Sequence, residues 1–377
     1  MKGKHIVIVG PAHPLRGGLA TFNERLAREL SKENTVTLLS FSLQYPGFLF
    51  PGQTQFTDEP APEGLHIDTV LNSVNPFNWI SVGRKYKKLR PDLIIFRYWM
   101  PFFGPCFGTF ARIVKQNKHT KVVCIADNII PHERRFFDKP FNAYFLPVLD
   151  GAVTMSRKVL QDLEDLQFKK PKLYNPHPLY DNFGDALPRE QALQELGLPA
   201  DGRYLLFFGF IRRYKGLDLL LSAMADEKVK QTGAKLIVAG EFYEDAAPYH
   251  AQIEQMGLAD RVILKTEFIP NSKVPLYFSA ADLVVQPYRS ATQSGVSQVA
   301  YHFNKPMVIT DVGGLAESVP DGKVGFVVDP EPAAIAEGIS RFFNENRSAE
   351  FIGNMEAAKA PFSWERLVEG LEKVGLG

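Results

Sequence analysis

Two cysteines, Cys106 and Cys124, are all the thiols in 377 residues, a scarcity that excludes a disulfide framework and a cysteine-rich metal site. Both stand in apolar surroundings, and a reducing cytosol is the expected compartment. Excess charge of either sign is missing too: 43 Lys and Arg face 42 Asp and Glu, so no nucleic acid is implied as a partner. Long hydrophobic runs are absent. The most apolar stretch, residues 99–114, is interrupted by Pro101, Gly104, Pro105 and Gly108 and falls short of a bilayer crossing. The run His5–Val9 is too short for a secretory leader. Asp-x-Asp occurs nowhere, which leaves a bridging divalent ion without obvious oxygen ligands. The dinucleotide fingerprint Gly-x-Gly-x-x-Gly is missing as well, which argues against an oxidoreductase. A soluble chain of about two domains is expected from the length.

What is there is organised around Tyr204-Leu-Leu-Phe-Phe-Gly-Phe-Ile-Arg-Arg-Tyr-Lys-Gly-Leu. It reads as a buried strand, a loop opened by Gly209, and a helix from about Gly216 with Leu217, Leu220, Leu221 and Met224 on one face. Arg212, Arg213 and Lys215 therefore fall at the carboxyl end of a strand and ahead of a helix amino terminus, where open α/β sheets bind ligands. Free amides and the helix dipole favour an anion at such a place. Three added cations suggest a diphosphate; a solvated basic turn is the alternative for the loop taken alone. A second site of this kind follows the strand candidate 282–285. Thr292, Gln293, Ser294 and Gly295 open a helix there with hydroxyls and unpaired amides, the alternative being an ordinary capped helix.

Along the chain, His5–Val9 leads into Arg16-Gly17-Gly18 and a helix pattern to about residue 30. Adjacent glycines let a backbone approach a ligand closely, or make a simple turn. Strand candidates follow at 35–39, 67–70, 93–96, 122–125 and 152–155, with helical patterns such as 79–89 and 108–115 between. Residues 44–62, rich in Pro and Gly, form an irregular insertion. The pattern breaks at Asn175-Pro176-His177-Pro178 to Pro188, read as an interdomain linker. A second series runs through 204–208, 235–239, 262–264, 282–285, 307–309 and 325–328. The expected organisation is an α/β chain with one domain at 1–185, a second at 186–360, and a helix at 361–377 capped by Ser363.

Gly17-Gly18, Arg212-x-x-Lys215-Gly216, the run Lys305-Pro-Met-Val-Ile-Thr-Asp-Val-Gly-Gly-Leu-Ala-Glu317, Gly325-Phe-Val-Val-Asp-Pro330 and Phe362-Ser-Trp364 together resemble the GT-B-fold retaining glycosyltransferases of family 4. The resemblance covers nearly the whole chain and implies two Rossmann-like domains facing across a cleft. It also implies transfer of a sugar from a nucleotide-diphosphate sugar, as co-substrate rather than cofactor, to a glycan, lipid-linked or small-molecule acceptor, with retention and without a metal. Arg212 and Lys215 are implied to clamp the diphosphate. Phe210 stands where the family arginine follows the strand glycine, so Arg212 or Arg213 substitutes from a shifted position. The family's two glutamates correspond to Ser290 and Gln298, which marks a divergent subgroup; Gln298 can still hydrogen-bond a hydroxyl. Phe268 and Ile269 occupy the base-binding position, and Glu241 lies on the same sheet edge. In the first domain, family members place a histidine at the strand end close to the transferred sugar; Asp127 stands there and His132 follows five residues later, both as catalytic candidates, and Glu133, Arg97 and Tyr98 are candidates for the acceptor side. Structural roles stay open for His132, Glu241, Phe268 and Ile269. A cytoplasmic enzyme is expected, with peripheral contact at the inner face of the membrane through the basic stretch 79–88 as a further expectation. A sugar-nucleotide epimerase and a non-catalytic sugar-nucleotide binder are the alternatives.

Overall fold

The computed structural model describes residues 1–47, 50, 54–131 and 135–377. The chain divides into two compact units: residues 1–178 with 362–377, and residues 179–361. Each unit is one wholly parallel sheet with helices.

The first sheet contains β1 (His5–Val9), β2 (Thr35–Leu43), β3 (His66–Asn72), β4 (Leu93–Tyr98), β5 (Lys121–Ala126), β6 (Gly151–Thr154) and β7 (Lys172–Tyr174), in the order β3-β2-β1-β4-β5-β6-β7. Its central strands are continuous β-branched and apolar runs because helices leave no face to water. All of β4 is buried. The helices are α1 (Gly18–Ser31), α2 (Pro76–Leu89), α3 (Gly104–Lys115), α4 (Asp138–Phe145) and α5 (Arg157–Asp165). Asn75 caps α2 by accepting from the amides of Phe77 and Asn78, with Pro76 at the first turn. Phe96, Phe103, Phe107, Phe110 and Phe145 form the aromatic centre of this core, each worth about 1.5–3 kcal/mol once buried.

The second sheet contains β8 (Tyr204–Phe208), β9 (Lys235–Ala239), β10 (Val262–Lys265), β11 (Leu283–Gln286), β12 (Met307–Thr310) and β13 (Gly325–Val328), in the order β10-β9-β8-β11-β12-β13. Around it lie α6 (Arg189–Leu196), α7 (Leu217–Met224), α8 (Glu227–Gln231), α9 (Ala247–Gln255), α10 (Val274–Ala280), α11 (Gly295–His302), α12 (Pro332–Asn344) and α13 (Ser348–Lys359).

The last helix, α14 (Trp364–Gly375), joins the first unit. Ser363 caps it through the Arg366 amide, and Leu367, Leu371 and Val374 bury its apolar face. Gly370 and Gly375 permit the close approach: a Cβ on Gly375 would stand 3.0 Å from Leu93 and Val123. Among the described residues no helix is long and apolar enough to cross a membrane.

Candidate functional site

In both sheets the strand order reverses direction beside the first strand. From β8 the chain moves outward to β9 and then β10, whereas from β11 it moves the other way to β12 and β13. The loops after β8 and β11 therefore diverge, leaving a crevice at their carboxyl ends, the usual ligand position in such sheets.

Both anion-binding stretches expected from sequence meet at this point. After β8 come Gly209 and Phe210, then Ile211, Arg212 and a 3-10 turn over Arg213–Lys215 that ends at Gly216. After β11 come Pro287, Tyr288 and Arg289, and then the segment 290–294 leading into α11. The two loops are bound together. The Arg289 amide donates to the Tyr214 carbonyl at 2.7 Å, and the Arg289 guanidinium pairs with Asp218 in the first turn of α7. Gly216 lies against the Pro287 carbonyl. Its φ is +67°, and a Cβ there would stand 2.0 Å from that oxygen, so only glycine fits.

Lys215 is drawn inward: it is 9% exposed, and its amine lies 5.8 Å from the centre of the Tyr288 ring. A Cβ built on Gly209 would come 3.0 Å from that amine and 3.8 Å from Val296 of α11. The lysine thus reaches back across the strand-end glycine to the first turn of α11. No carboxylate pairs with it among the described residues. Burial, with help from the nearby Arg212 charge, pushes its pKa down to about 7. An anion arriving there would restore the charged form.

The amino terminus of α11 has no side-chain cap, because its neighbouring hydroxyl is used elsewhere. Ser294 Oγ donates to Gln286 Oε1 at 2.6 Å, and Gln286 Nε2 donates to Ser297 Oγ at 3.0 Å. This buried network sets the helix start while leaving its first amides for another acceptor. Thr292 and Gln293 are half-buried beside it. A Cβ on Gly295 would meet Tyr180 at 2.7 Å. Gln298 is 1% exposed, and its Oε1 has no hydrogen-bond partner among the described residues.

The remaining residues expected in this unit spread along the same edge. Arg212 and Arg213 are exposed. Glu241 is buried, and its carbonyl accepts from the Ile211 amide at 2.8 Å. Ile269 is buried and Phe268 half-buried, with the Phe268 ring 6.3 Å from that of Phe210. Gln286 and Tyr288 fall within the stretch 286–298 read from sequence as the second anion site, without a role of their own; Tyr243 carried no signal in the sequence.

In the first unit, Gly17 and Gly18 open α1, whose amino terminus is also without a side-chain cap. Arg97 of β4 is 2% exposed. Its Nη2 donates to Asp127 Oδ1 at 2.7 Å, and Nε lies 2.5 Å from Oδ2 in an ion pair that is off the line of a hydrogen bond. The guanidinium carbon sits 3.7 Å over the Phe22 ring. His177, from the expected linker, packs edge-on to Phe22; burial and the Arg97 charge push its pKa down to about 3. Tyr98 is 0% exposed and donates to Asn142 Oδ1 at 2.6 Å, so its side chain lies in the core. His132 and Glu133 lie outside the described residues.

Comparison with known proteins agrees with this architecture. Residues 188–358 match the family described as glycosyl transferases group 1. D-inositol 3-phosphate glycosyltransferases of Acidothermus cellulolyticus and Thermobifida fusca are 30% and 32% identical over 190 and 193 residues, 48% of this chain in each case. The chain covers 42% and 44% of those relatives, less than half their length. Among solved structures, Anabaena HepE in complex with UDP and glucose superposes with a TM-score of 0.73 at 18% identity, covering 98% of this chain and 100% of that one. A glycosyltransferase from Rickettsia africae gives a TM-score of 0.74 at 17% identity, with 99% of each chain covered.

Proposed function

With residues 188–358 matching the group 1 glycosyl transferases and a chain of GT-B fold, we propose that this protein transfers a sugar from a nucleotide-diphosphate sugar to a glycan, lipid-linked or small-molecule acceptor. One observation carries the reading: a buried amine without a counter-ion, Lys215, shares the space over Gly209 with Val296 of the uncapped helix α11, at the strand reversal of the second sheet. Two phosphates supply what both lack.

In this reading Lys215, Arg212 and the α11 amides hold the donor diphosphate and stabilise the charge that develops on it as the glycosidic bond breaks. No metal is required for that role. Gln298 Oε1 accepts from a donor hydroxyl, and the aromatic and apolar surface at Phe268 and Ile269 receives the base. The acceptor brings the nucleophile. Its hydroxyl attacks the anomeric carbon on the face the phosphate leaves, and the departing phosphate oxygen takes the hydroxyl proton, so configuration is retained. That Anabaena HepE was crystallised with UDP-glucose supports a uridine donor as the first to test. Cytoplasmic location and peripheral membrane contact belong to the same proposal. Phe77, Ile80, Arg84, Lys85 and Lys88 of α2 border one shallow surface depression, and Phe77 is 82% exposed, chemistry suited to an anionic bilayer surface.

Thermal-shift titration with UDP-, GDP-, ADP- and TDP-sugars identifies the donor, since a ligand selective for the native state raises the melting temperature. Incubation with acceptors then yields nucleoside diphosphate and a glycoside whose anomeric configuration is read by NMR, with and without chelator. Binding without turnover across the acceptor panel would replace the transferase reading by a sugar-nucleotide binder.

A further inference from the structure

Arg212 is an exposed side chain with no ion pair among the described residues, yet the proposed clamp needs its guanidinium in one place. A free arginine samples many rotamers, and each hydrogen bond to phosphate must overcome that freedom. The loop after β9 supplies the restraint. There the β8–β9 pairing continues beyond the strands: Ile211 bridges to Phe242, the Ile211 amide donates to the Glu241 carbonyl at 2.8 Å, and the Tyr243 amide donates to the Ile211 carbonyl at 3.0 Å. The Arg213 amide donates to Glu244 Oε2 at 2.8 Å. Tyr243 is therefore locked by its backbone to the residue that precedes Arg212. Its ring is stacked by Phe210, with centroids 4.1 Å apart and planes 29° from parallel. The Arg212 guanidinium carbon lies over the Tyr243 ring at 5.2 Å.

We propose that Tyr243 is a positioning residue for the donor diphosphate: fixed by Phe210 and by its own backbone, its ring holds the Arg212 guanidinium in register with Lys215. This rests on the diphosphate reading given above and deepens it. Phe210 takes part by immobilising the ring. The planar guanidinium keeps its in-plane N–H donors free for phosphate while its face rests on the aromatic ring, an arrangement a lysine ammonium would not reproduce.

A double-mutant cycle tests this, measured by calorimetry on the full chain with UDP, GDP and ADP and with inorganic pyrophosphate as a base-free probe. Tyr243→Leu is expected to weaken pyrophosphate and the responding nucleotide by the same factor, about three- to tenfold. Arg212→Leu weakens both further, the double variant is no worse than Arg212→Leu alone, and Tyr243→Phe retains wild-type affinity. Tyr243→Met serves as a second variant if the leucine form melts early. Additive losses would overturn the inference, as would a loss for nucleotide that spares pyrophosphate, because the ring would then serve the base. Failure of the wild-type chain to bind any of the four probes would instead remove the diphosphate reading itself.

Discussion

The same strand reversal is built twice in this chain, and the two copies treat a buried cation in opposite ways. In the first sheet Arg97, 2% exposed, is met by both oxygens of Asp127 and covered by Phe22. In the second, Lys215, 9% exposed, is left without a carboxylate and its pKa falls to about 7. The charge in the first sheet is already neutralised by its ion pair. An unpaired one in the other costs folding free energy, and under the proposed function an arriving anion would supply the missing partner. Two Rossmann-like sheets of matching order thus differ less in backbone than in whether the charge at the crevice is already neutralised.

Removing the partner of the satisfied charge should have the largest effect. Asp127→Ala leaves Arg97 buried and unpaired, and a loss of about 3–5 kcal/mol is expected in urea unfolding followed by circular dichroism. Lys215→Met should do the reverse to stability while impairing the proposed transfer. Replacing an unpaired buried charge by an apolar chain of similar length is expected to stabilise by about 1–3 kcal/mol. The same variant should lower turnover of the identified donor by about 10²–10³-fold, as loss of a preorganised oxyanion partner does. If Lys215→Met instead lost stability with Asp127→Ala, the contrast between the two edges would be broken.

Gly216→Ala sharpens the contrast from the backbone side. The new Cβ would meet the Pro287 carbonyl at a position with φ +67°, so a loss of about 1–3 kcal/mol and weaker nucleotide binding are expected together. The contrast also has a pH dependence. Between pH 7 and the ordinary lysine value of 10.5, the unfolded chain holds a proton at Lys215 that the folded chain has shed. The contribution of this group to stability therefore rises with pH across that window, and Lys215→Met should flatten it. A bound diphosphate favours the charged amine. Binding at pH 8 should therefore take up a fraction of a proton, and this group's contribution to affinity should fall as pH rises through 7. Calorimetry in buffers of different ionisation enthalpy reads the proton, and Lys215→Met should lose it.

Much of the architecture was legible because parallel strands covered on both faces must be continuous apolar runs. His5–Val9, Tyr204–Phe208 and Lys235–Ala239 are read from sequence as they stand in the sheets. Strand β7 was missed: Lys172-Leu-Tyr is only three residues long and none is fully buried. It is a strand because β6 pairs with it, with the Ala152 amide donating to the Pro171 carbonyl. Helix α2 was expected from residue 79 and begins at Pro76, since Asn75 caps it there and the apolar period starts only later. The expectation of an anion site at Arg212, Lys215 and Ser294 came from composition and order: cations and hydroxyls between an apolar run and a helix. The pairing of Arg97 with Asp127 was hidden, because a carboxylate that closes on an arginine thirty residues away reads from sequence like one left open.

Local order alone therefore determined that this chain makes two parallel α/β units with cation-bearing, amide-rich loops at strand ends, since hydrophobic period and loop chemistry act over a few residues. Only the tertiary structure decided which charges are neutralised and which are kept waiting. That depends on where a distant strand, a stacked aromatic ring or a carbonyl such as that of Pro287 comes to lie, and burial converts those positions into pKa and affinity.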